Sequence, residues 1–209
     1  MSILFEDKKM KKSNVYGRSM VEMLAVLAII AVLSAGALSG YSKAMRRHRL
    51  NEMISQTAQM VVNIRSFYGN QDSYETLDEN TAVQYNIVTQ RMIGENSTLY
   101  SPYHGRINFS LDAAVEGGPD KTAFVITYRD LPVEACIGMA RTDWGHGEKY
   151  GFLGLSVGAD DADPSYPLPP TSYFTTNKQM APLTMQEAIE HCAGTTPNAS
   201  RSTVALKFF

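Results

Sequence analysis

Hydrophobic and polar positions divide the chain into unlike stretches. Residues 1–17 are rich in lysine and carry a net positive charge. Residues 23–42 then pass without a charge, and 23–38 are dense in Leu, Ile, Val and Ala. Twenty such positions span about 30 Å as a helix, the thickness of a bilayer core. After Tyr41 no proline occurs until Pro102. Leu50, Ile54, Thr57, Val61, Ile64 and Tyr68 succeed one another at steps of three or four. That spacing marks one face of an amphipathic helix, which Met53, Met60 and Phe67 widen. Gly69-Asn70 is a stop signal. The pattern predicts one helix over 18–68, apolar all round in its first half and one-sided in its second.

The rest of the chain changes period. Residues 69–101 are polar, irregular and rich in turn signals. In 106–111 Ile107, Phe109 and Leu111 share a face, and 122–128 is a run of β-formers. Gly117-Gly118-Pro119-Asp120 between them reads as a hairpin loop. A short helix with Cys136 follows Pro132, a strand is predicted over 151–158, and a second helix over 184–192 carries Cys192. Thr184 and Glu187 form a capping box at its start. Residues 203–209 alternate Val204, Leu206 and Phe208 as a closing strand. The fold class is α+β: a long amino-terminal helix, membrane half plus amphipathic half, packed on a globular head (69–209) with an antiparallel sheet.

Composition changes this picture little. Among 209 residues, 44% are hydrophobic and 19% charged, with net charge −2, which does not favour nucleic acid as a partner. The distribution matters more. Lys8, Lys9, Lys11 and Lys12 precede the apolar run, which is a targeting pattern. With Arg18 they nearly balance Lys43, Arg46, Arg47 and Arg49 behind it, so the positive-inside rule decides little. The amino-terminus is placed inside because a leader-like segment leads and a turn-rich body follows. If that body is exported, its two cysteines, Cys136 and Cys192, meet an oxidising compartment that favours a disulfide. Two buried free thiols are the alternative.

Two readings of the amino-terminal junction compete. In one, a secretory signal peptide ends at Ala35-Gly36-Ala37 and the mature chain starts near Leu38. In the other, cleavage falls after Gly17 and the apolar helix is retained. Glu22 separates them, because a carboxylate within a membrane helix costs about 2–3 kcal/mol unless it has a partner. Cleavage after Gly17 would create an amine on Arg18, one helical turn from Glu22.

Gly17, then Glu22 at the fifth position of the new terminus, then an apolar stretch, resembles the type IV pilins. The leader of 17 residues and the order helix, strands, helix with cysteine, strand, helix with cysteine, strand resemble the type IVb subgroup. The resemblance implies removal of residues 1–17 by a prepilin peptidase at Gly17–Arg18 and N-methylation of Arg18. It implies an assembly role for Glu22 and a carboxy-terminal region bounded by Cys136 and Cys192. Residues 18–42 would be the membrane segment, held in the bacterial inner membrane before the assembly machinery builds an extracellular homopolymer. Arg18 departs from the family, which usually places an apolar residue there. A pseudopilin or minor pilin would share the processing but not bulk polymerisation.

The remaining motifs point elsewhere only weakly. Residues 154–158 match G-x-S-x-G, with Asp160, Asp161, Asp163 and His191 following in hydrolase order. The Asp- and Pro-rich stretch after Ser156 cannot supply the helix that this motif requires. The three aspartates lack EF-hand spacing, and the histidines lack zinc-ligand spacing. Arg46, Arg47, His48 and Arg49 read as a solvated or headgroup-facing collar, or as partners for acidic surfaces of neighbouring subunits. Gly36 and Gly40 form a G-x-x-x-G pair that permits close helix approach. No cofactor and no enzymatic activity are expected.

Overall fold

The computed structural model describes residues 19–114, 118–145, 151–159, 172–174, 182–193 and 201–209. The Gly17–Arg18 junction, Gly117, Asp160, Asp161 and Asp163 lie outside them. Contacts divide the chain into two compact units, residues 1–45 and 46–209. Helix α1, Met20–Tyr68, belongs to both, and its 49 residues lie within the predicted span of 18–68 and end where it does.

In the first unit every residue from 19 to 44 is exposed. This part of α1 is long and apolar enough to cross a membrane, and its apolar window is 0% buried.

In the second unit α1 buries Met53, Thr57, Met60, Val61, Ile64 and Tyr68. The face is rotated from the predicted one. Leu50 and Ile54 are half-buried and Phe67 is exposed. Methionine is unbranched and adaptable, so Met53 and Met60 fill the deepest seats. Phe67 instead meets Tyr85 at the surface, with ring centroids 4.6 Å apart.

Among the described residues six strands form one sheet: β1 (Leu99–Tyr100), β2 (Arg106–Asp112), β3 (Ala123–Leu131), β4 (Phe152–Ala159), β5 (Ser172–Phe174) and β6 (Ser202–Phe208). Every pairing is antiparallel, and the order is β1-β2-β3-β6-β4-β5. The last strand of the chain therefore lies inside the sheet. Its alternation predicted one buried face, yet all seven of its residues are buried. Pairing with β3 on one edge and β4 on the other puts Leu206 beside Ile126 and Leu155, and Phe208 beside Phe124 and Phe152. These side chains belong to the same core cluster as Met53, Met60 and Ile64 of α1. Lys207 is buried too, and its ammonium donates to the Asp112 carboxylate at 2.7 Å. Burial pushes the Asp112 carboxyl up, but the bonds from Lys207 and the Ala113 amide outweigh it and leave it below its ordinary value.

A polar contact pins α1 to the sheet. Thr57 donates its hydroxyl proton to the Met53 carbonyl at 2.8 Å, so Tyr128 of β3 is the donor to Thr57 Oγ1. Burial pushes the Tyr128 hydroxyl far up in pKa and keeps the proton in place. Tyr128→Phe is expected to cost about 1 kcal/mol, seen as a lower denaturant midpoint with unchanged slope.

Helix α2 (Glu79–Gln84) lies in the stretch that reads as irregular; Asp78 caps it by accepting from the Thr81 amide at 2.6 Å. Helices α3 (Val133–Ala140) and α4 (Met185–Ala193) fall where predicted. Glu187 accepts from the Thr184 amide at 2.9 Å and Thr184 Oγ1 accepts from the Glu187 amide at 3.4 Å, the reciprocal bonds of a capping box. Gly138 lets α3 approach α1 closely, since a Cβ there would sit 2.4 Å from Leu50 Cδ2.

Candidate functional site

The first turn of α1 begins after Ser19. The amides of Glu22 and Met23 donate to the Ser19 carbonyl at 2.9 and 3.1 Å. Ser19 and Glu22 thus stand at the spacing of a second capping box, a signal that sequence reading missed beside the larger question of Glu22's charge. An acid in the first turn also faces the positive end of the helix dipole. The dipole stabilises the helix start without using up the carboxylate, which is exposed.

From Met23 to Leu33 the helix offers only apolar surface. Met20 is 84% exposed and Val32 74%, and Leu24, Leu27, Ile29, Ile30, Leu33 and Leu38 are exposed on all sides. A helix apolar all round is stable only in lipid or among other helices. Added methyl groups at Gly36 and Gly40 would meet nothing within 4 Å among the described residues.

At the start of the second unit the collar is partly tied down. Arg46 pairs with Glu134 at 3.2 Å, and the Tyr103 hydroxyl donates to the Arg46 carbonyl at 2.9 Å. Arg47, His48 and Arg49 are exposed.

Cys136 of α3 and Cys192 of α4 are bonded, with Cα atoms 5.9 Å apart, and both are fully buried. The pair joins positions 56 apart in sequence. Ser156 lies mid-strand in β4, buried between β5 and β6, where it opposes Ser172 and Ala205. It does not stand on a strand-to-helix turn, so the hydrolase geometry is not formed. Trp144 is half-buried against the core, with its indole donating to the Met139 carbonyl at 3.1 Å.

The profile of the Bundlin family matches residues 42–209. The chain belongs to the Bundlin family. It is similar to the major structural subunit of bundle-forming pilus of Escherichia coli O127:H6 (strain E2348/69 / EPEC), 27% identical over 145 residues, which is 68% of this chain and 72% of that one. The corresponding subunit of Escherichia coli O111:H- matches to the same extent. Among solved structures it is similar to the type IV b pilin from Salmonella typhi, with a TM-score of 0.51 and 15% identity over 75% of this chain and 97% of that one. At that identity the likeness is one of fold, and it bears out the expected long helix and antiparallel head. The Bundlin match begins at residue 42, so Gly17, Arg18 and Glu22 all precede it.

Proposed function

We propose that this Bundlin-family chain is a structural pilin that polymerises through α1 into an extracellular filament serving adhesion, aggregation or motility. A prepilin peptidase removes residues 1–17 after Gly17, and the new terminus at Arg18 is N-methylated. Residues 18–42 hold the subunit in the inner membrane until the assembly machinery draws it into the filament. There the apolar helices of many copies pack together, and Glu22 neutralises the Arg18 amine of a neighbour. The role is structural and not enzymatic.

The observation that carries this reading is the wholly exposed apolar half of α1 with a carboxylate in its first turn. A bilayer and a bundle of like helices both satisfy such a surface, and passage from one to the other needs no refolding of the head. The bundle-forming pilus relatives support the polymer. Mass spectrometry of the mature amino-terminus tests the processing. The expected species starts at Arg18 and carries one added methyl; a start near Leu38 overturns the proposal.

A further inference from the structure

Directly after the uncharged run α1 carries Lys43, Arg46, Arg47, His48 and Arg49. The head engages part of this set. Glu134 and Tyr103 hold Arg46, side chain and carbonyl respectively. Arg47 and Arg49 form no ion pair among the described residues, and both are exposed.

Their position along the helix gives these cations a partner. At 1.5 Å per residue, Arg47 and Arg49 follow Ser42 by about 8–11 Å. With residues 23–42 across the hydrocarbon, as proposed above, that is just outside the headgroup layer of about 5–8 Å, from which an arginine side chain reaches back to the lipid phosphates. Tyr41, 64% exposed, stands at the boundary where an amphipathic ring belongs. A guanidinium forks onto a phosphate through two parallel N–H bonds, and its aliphatic stem lies comfortably along apolar surface. Cations on the two flanks nearly balance, so topology alone gives these arginines no role, and anionic headgroups on their own side of the membrane supply a partner.

We propose that Arg47 and Arg49 bind the phosphates of anionic phospholipids and so hold the unassembled subunit at a fixed depth in the bilayer. This rests on residues 18–42 spanning the membrane. The test uses the full mature chain, purified from membranes and exchanged into vesicles of equal phosphatidylglycerol and phosphatidylcholine. Lipid adducts are then counted by native mass spectrometry after gentle detergent release. Arg47 and Arg49 are expected to contribute about thirtyfold to the preference for phosphatidylglycerol. That contribution should be lost in Arg47→Gln/Arg49→Gln, with Lys43 keeping a preference of a few-fold, and be largely kept in Arg47→Lys/Arg49→Lys. Equal adducts of the two lipids on the wild type overturn the proposal, as does an undiminished preference in the glutamine variant. If that variant keeps its lipid preference but loses filaments, the arginines serve acidic residues of a second copy, and the proposal fails. Carbonate extraction of the same samples separates the two readings. A wild-type chain released by carbonate fails the membrane assignment as well, whereas an inserted chain without lipid preference fails this proposal alone.

Discussion

Glu22→Ala is expected to abolish filaments while leaving a processed subunit in the membrane. The residue is exposed in the first turn of α1. On the proposed reading, cleavage after Gly17 does not involve the acid, so processing should continue. What the variant would lose is the proposed charge partner for a neighbour's amine. Two opposite charges about 4 Å apart attract by about 4 kcal/mol at an effective dielectric near 20. Repeated at every subunit, a loss of that order stops polymerisation. The competing account is local, because Ser19 and Glu22 have capping-box spacing and the helix dipole favours an acid there. Those effects amount to about 1 kcal/mol and act within one chain. Glu22→Gln separates the two, since glutamine keeps the capping-box group and removes the charge. Electron microscopy of cells expressing each variant, with immunoblots of membrane fractions, is the measurement. Both variants should be bald with processed subunit present. Normal filaments from Glu22→Gln would leave capping as the role of this residue.

The cysteine pair was legible because two cysteines stand in a chain with an export pattern, and the structure bonds them. Helix α1 was legible through its length, and α4 through the Thr184–Glu187 cap. Other features depend on partners remote in sequence. The full burial of β6 follows from β4 pairing along its second edge, and nothing within 203–209 announces that neighbour. The seating of Met53 and Met60 ahead of Leu50 and Ile54 depends on the sheet surface they meet. Helix α2 has six residues and β1 two, too short for a period to show. The junction at Gly17–Arg18 is read from sequence motif and family resemblance, since it precedes both the described residues and the Bundlin match.

Replacing both cysteines, Cys136→Ala/Cys192→Ala, is expected to leave the head folded but much less stable. In the folded state the bonded region has other attachments. Strand β4 pairs with β6 from Phe152 to Ala159, and the Leu183 amide donates to the Ala140 carbonyl at 3.0 Å, tying the start of α4 to the end of α3. The bond's main effect is therefore on the unfolded chain, where it closes a loop across 56 positions. Loop-closure entropy for that length gives about 4 kcal/mol. Alanine, rather than serine, avoids burying a hydroxyl where both sulfurs are fully buried. For a chain of this size the loss corresponds to a melting temperature lower by about 8–16 °C. Circular dichroism of the full chain should show the same folded spectrum for wild type and variant, with the variant melting earlier. Reduction of the wild type by dithiothreitol should shift it the same way. An unchanged melting temperature would mean that sheet pairing alone sets the stability of this region. A lost folded spectrum would mean that the bond is needed to bring α3 and α4 together at all.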